Sequence, residues 1–77
     1  MAKKKDYTEE RIIKISQKIK ELRIKANYTS AENFAYDNEL NRVQYWRVEN
    51  GANITLKTLL KILDIHKITL SDFFKGI

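Results

Sequence analysis

Apolar residues recur every three or four positions along most of this chain. Ile12, Ile15, Ile19, Leu22 and Ala26 form one such stripe, while Arg11, Lys14, Lys18, Lys20, Glu21 and Lys25 fill the other faces. That alternation is the signature of an amphipathic helix. Thr8 is a candidate N-cap for it, Glu9 and Glu10 in the first turn and Lys25 in the last suit the helix dipole, and Asn27 suits a left-handed stop. Thr29-Ser30-Ala31-Glu32 reads as a capping box opening a short second helix that turns Phe34 and Ala35 inward and ends near Asn38. Asn41, with Gln44 three residues later, is the next capping signal, so two short helices meet across a tight turn. Tyr45 and Val48 share the inner face of the third helix, and Gly51 stops it. Thr55 opens a fourth helix with Leu56, Leu59, Leu60, Ile62 and Leu63, and Thr69-Leu70-Ser71-Asp72 opens a short fifth carrying Phe73 and Phe74. No strand pattern competes. The prediction is an all-α fold, a compact five-helix bundle containing a helix-turn-helix.

Length and composition narrow what such a bundle can do. Seventy-seven residues make one small core with one site, expected here as a domain over residues 8 to 77 behind a basic, flexible N-terminal arm over residues 1 to 7. The absence of Cys and the single His leave no disulfide, thiol nucleophile or clustered metal ligands. No nucleophile-base pair or glycine-rich phosphate loop is visible, so no enzyme, metal or cofactor is expected. No apolar run approaches a membrane span and the start lacks a secretion signal, which predicts a cytoplasmic protein with no membrane partner. The net charge is +5 and the pI is about 9.6, in the range of nucleic-acid-binding domains. Lys3, Lys4 and Lys5 supply three of those charges, and they read either as a solubilising tail or as an arm following a nucleic-acid backbone.

Placement of charge is more informative than its sum. The segment Asn41 to Gly51, NRVQYWRVENG, holds the only Trp of the chain and two of its four Arg within six residues. At 100° per residue, Tyr45 and Val48 face the core while Arg42, Val43, Trp46 and Arg47 lie opposite, with Gln44 at the margin. A solvated face ordinarily mixes Glu with Lys. This one offers guanidinium groups suited to guanine edges, an amide suited to adenine and apolar edges suited to the thymine methyl.

These segments resemble the phage-repressor-like, Cro-type (XRE) helix-turn-helix family, whose fold is that of the lambda-repressor DNA-binding domain. The resemblance spans roughly Ile15 to Phe74. It is carried by VENG at Val48 to Gly51, KIKELR at the end of helix one, FA in helix two, and TLKTLLKIL followed by ITLSDFF. It implies sequence-specific binding of double-stranded DNA by a transcriptional regulator, with helix three in the major groove. It places Asn41, Arg42, Val43, Gln44 and Arg47 against bases, Trp46 against a base edge or sugar, and Ser30, Asn50, Asn53 and Lys57 against phosphates. It also implies a structural ion pair between Arg23 and Glu49. In place of the family's usual Gly between helices two and three stands Glu39 beside Asn38, and Asn38 is expected to take the left-handed conformation there. His66 stands where the family usually has a buried Leu.

Two further partners remain open at this level. A homodimer would let one short helix gain specificity from two half-sites, and Phe73, Phe74 and Ile77 form either the lid of the core or its seam. An exposed Trp flanked by Arg also suits a protein-interaction module, such as an antitoxin using the same fold to bind a partner protein. No small-molecule ligand is expected.

Overall fold

The computed structural model describes residues 7–77 and is all-helical over them, with α1 at Thr8–Lys25, α2 at Ala31–Asp37, α3 at Arg42–Glu49, α4 at Leu56–His66 and α5 at Leu70–Phe73. The expected arm over residues 1 to 7 lies, but for Tyr7, outside the described residues. Four helices start on a side-chain cap. Ser30, Asn41, Thr55 and Thr69 each accept a hydrogen bond from the backbone N–H three residues on, that of Asn33, Gln44, Thr58 and Asp72 respectively, at 2.9–3.2 Å. The N-cap of α2 is therefore Ser30 in place of Thr29, and the expected capping box does not form, because N3 is then Asn33 and Glu32 turns to Arg42. At α1, Thr8 is the first helical residue and not the cap, because the Tyr7 carbonyl accepts the Arg11 N–H and closes the first turn.

Four helices also end alike. After α1, α2, α3 and α4 a residue with positive φ follows, namely Asn27, Glu39, Gly51 and Lys67. The next residue reaches five positions back: Tyr28 to Arg23, Leu40 to Ala35, Ala52 to Arg47 and Ile68 to Leu63, all within 2.8–3.2 Å. This is the Schellman arrangement, which satisfies carbonyls the helix leaves without partners. Asn38, expected to be left-handed, instead keeps φ −106° as the C-cap of α2, and its amide donates back to the Phe34 carbonyl at 2.9 Å. Glu39 takes the left-handed place at φ 56°. Position within the motif, one residue before the N–H that reaches five positions back, overrides which side chain tolerates that conformation more easily.

The core is one cluster: Ile19 of α1, Phe34 and Ala35 of α2, Tyr45 and Val48 of α3, Leu59, Ile62 and Leu63 of α4, and Phe73 of α5. Phe34 sits amid aromatic neighbours, with ring centroids 5.2 Å from Tyr28, 5.0 Å from Tyr45 and 5.1 Å from His66. Ala26, assigned to the buried stripe, is exposed because α1 ends at Lys25 and Ala26 already belongs to the turn. Leu56 and Leu60, one turn apart on α4, are exposed, as are Leu70, Phe74 and Ile77 at the C-terminal end. Phe73 alone of the terminal aromatic pair is the lid. Among the described residues no helix is long and apolar enough to cross a membrane.

Candidate nucleic-acid interface

The inner side of α3 is fixed first, because it decides which side is left for a partner. Tyr45, Val48 and Glu49 are buried. Glu49 meets Arg23 of α1 in a two-pronged ion pair, Nε to Oε2 at 2.8 Å and Nη2 to Oε1 at 3.0 Å. The remaining Arg23 amine, Nη1, donates to the Tyr28 carbonyl at 2.9 Å. Both side chains are nearly inaccessible, and the hydrogen bond to Glu49 pushes the Arg23 pKa above its already high ordinary value. The Tyr45 hydroxyl is buried beside this pair without a hydrogen bond of its own, and burial above all, then the neighbouring Glu49, pushes its pKa far up. A charged clamp thus locks the end of α3 to α1, and it fixes the rotation of α3 about its axis.

That rotation turns Arg42, Val43, Gln44, Trp46 and Arg47 outward, all exposed. Val43 is 55% and Trp46 57% accessible. Arg42, Val43 and Trp46 line one shallow cleft with Glu32 of α2. Arg42 Nη1 donates to Glu32 Oε1 at 3.0 Å, both side chains well exposed. Asn41, Gln44 and Lys57 line a second depression with Lys61, between the start of α3 and α4. Ser30, Trp46 and Asn50 border a third, with Lys20 and the edge of the Arg23–Glu49 clamp. Asn53 is separate from these, on a groove between α1 and α4 beside Ile12 and Leu56.

Besides Arg42, three of these side chains are partly committed already. Asn41 Oδ1 caps α3, Ser30 Oγ caps α2, and Asn50 Nδ2 donates to the Trp46 carbonyl at 2.7 Å. Each keeps a second hydrogen-bonding function: the Asn41 amide N–H pair, the Ser30 hydroxyl proton and one Asn50 N–H. Glu32, Lys20 and Lys61 border the same surface and were not singled out from the sequence. For Lys61 a signal existed, since it follows Lys57 by one turn of α4 and so shares its face. Glu32 had been accounted for as a capping residue, and its approach to Arg42 depends on how α2 and α3 cross. Among the described residues no group of side chains could hold a metal ion, and His66, expected to carry no metal, is stacked flat on Phe34 with an interplanar angle of 8°.

The chain is 39% identical over 66 residues, 84% of its own length and 89% of the other protein's, to the control protein C.MunI of a Mycoplasma species. No family model matches it, and no solved structure does.

Proposed function

The chain belongs to the control-protein family represented by C.MunI, and we propose from that premise that it is a transcriptional regulator that binds double-stranded DNA by sequence, with α3 in the major groove. The observation that carries this reading is the outer face of α3. Two guanidinium groups, an amide, an isopropyl group and an indole stand exposed on a helix whose rotation is set by a buried ion pair. Arg42, Gln44, Arg47 and the free amide of Asn41 supply donors for base edges, and Val43 and Trp46 supply apolar contact for the thymine methyl. Lys57, Asn50 and Ser30 flank the helix and take the phosphates, with Asn53 reaching the backbone farther out, from the groove between α1 and α4, and these contacts fix register without reading sequence. No chemistry is needed: α2, the turn and α3 form a helix-turn-helix of the XRE type used for binding alone.

A single eight-residue helix spans few base pairs, so the active species is a homodimer on two half-sites about 34 Å apart. Leu60 on α4, Leu70 on α5 and Phe74 directly after it, all exposed, form the seam, since a dimer needs apolar area to bury.

The test is fluorescence anisotropy with random-sequence duplex at about 50 mM and about 200 mM salt. Wild type binds and weakens steeply as salt rises, and Arg42→Ala/Arg47→Ala binds less. Absence of binding at low salt removes the DNA reading and leaves the exposed Trp46 face to a protein partner, whose affinity would vary little with salt.

A further inference from the structure

Glu32 is out of place on a surface built for an anionic partner. Its carboxylate projects from the first turn of α2 onto the outer face of α3, within 3.0 Å of Arg42 Nη1. An ion pair this exposed adds little to folding, so the fold itself gives no reason for the pairing. Electrostatics at the start of α3 gives one. Arg42 is the first residue of α3, whose first turn contains no acidic residue, and a cation is disfavoured at that positive end of the helix dipole. Glu32 supplies the missing countercharge from the neighbouring helix and is itself favoured at the start of α2. The contact engages Nη1 alone. Nε and Nη2 make no hydrogen bond among the described residues, which leaves one edge of the guanidinium fork clear for two parallel hydrogen bonds.

Building on the reading of α3 as the DNA-reading helix, we infer that Glu32 is a positioning residue that aims the free edge of Arg42 at a single guanine. Arg42 would otherwise sample many rotamers and settle on the nearest phosphate, which carries no sequence information. Tethered at one nitrogen to a side chain on a packed helix, it loses that freedom before binding and presents its fork to O6 and N7. Val43 and Trp46, lining the same cleft, limit its swing on the other side. Glu32 therefore lowers affinity for DNA in general and raises discrimination at one base pair.

The test is selection of bound sequences from a random duplex pool by wild type, Glu32→Ala, Arg42→Ala and the double variant, with melting curves on each. Arg42→Ala loses the guanine preference at one position, a loss of roughly 5- to 150-fold for a bidentate contact. Glu32→Ala weakens the same position by about two- to fivefold, the most an exposed pair can contribute, and the double variant is no worse than Arg42→Ala, because both changes remove one device. Binding of Glu32→Ala to random duplex rises about twofold as a negative charge leaves the DNA face, with the melting temperature lowered by only a few degrees. The inference is overturned if Glu32→Ala keeps the guanine preference intact, if its effect adds to that of Arg42→Ala, or if it moves a different position, as a carboxylate reading cytosine directly would. Wild type that selects no sequence at all removes the DNA reading itself and this inference with it, an outcome distinct from the other three because they require a selecting wild type.

Discussion

Arg23 is the residue on which the geometry of the outer surface depends. A buried guanidinium is tolerated because its Nε and Nη2 meet Glu49 and its Nη1 meets a carbonyl. Removing one partner strands the other. Glu49→Ala should cost about 3–5 kcal/mol in urea unfolding, whereas the apolar pair Arg23→Met/Glu49→Leu should lose much less, since no charge is left buried alone. His66 makes the second residue-scale prediction. Its Nε2 is buried without a partner, and burial holds its pKa below the ordinary 6.5. The folded state therefore keeps it neutral while the unfolded chain takes up a proton below about pH 6.5, so the unfolded state binds more protons there. Stability from this group is complete above that value and falls as pH drops towards the lower folded-state pKa. Urea midpoints at about pH 7.5 and about pH 5.5 should show the decline, and His66→Leu should flatten it.

At the scale of the element, turns were harder to read than helices. All five helices follow from spacing and caps, because amphipathic period and cap chemistry are local properties. Side-chain tolerance favours Asn38 for the left-handed place, yet Glu39 takes it, because the Schellman hydrogen bonds fix that place by position. The cost is measurable. A non-Gly residue in that conformation loses about 1–2 kcal/mol, and Gly gives back about 0.5–1 kcal/mol through its freer unfolded chain. Glu39→Gly should therefore stabilise by up to about 1 kcal/mol in thermal unfolding. Gly51→Ala should do the reverse, for backbone reasons alone: a Cβ there would meet only Ile13 Cγ1, at an ordinary 3.9 Å. The outward placement of the α3 side chains was legible to the same degree as the helices. The outward face of α3 follows from helical angle once Tyr45 and Val48 are inside. The Glu32 to Arg42 contact does not, because it depends on how two helices pack.

For the whole molecule, the division of labour between surfaces is the testable consequence. Residues that hold phosphates and residues that read bases should fail differently. Lys57→Ala should reduce the slope of log affinity against log salt by about 1 and leave sequence preference intact, while Arg47→Ala should relax preference at one base pair by about 1–3 kcal/mol. If the proposed dimer forms through the exposed Leu60, Leu60→Lys should shift sedimentation towards monomer without changing the fold. The lone Trp46, more than half exposed on the outer face of α3, is a built-in reporter of that face. The most direct measurement is its fluorescence during titration with a selected duplex and with a shuffled one, at about 150 mM salt. The account predicts that Trp46 emission changes on binding and that the selected duplex binds about a thousandfold tighter or more. Equal affinity for the two duplexes, or binding that leaves Trp46 emission unaltered, would contradict it.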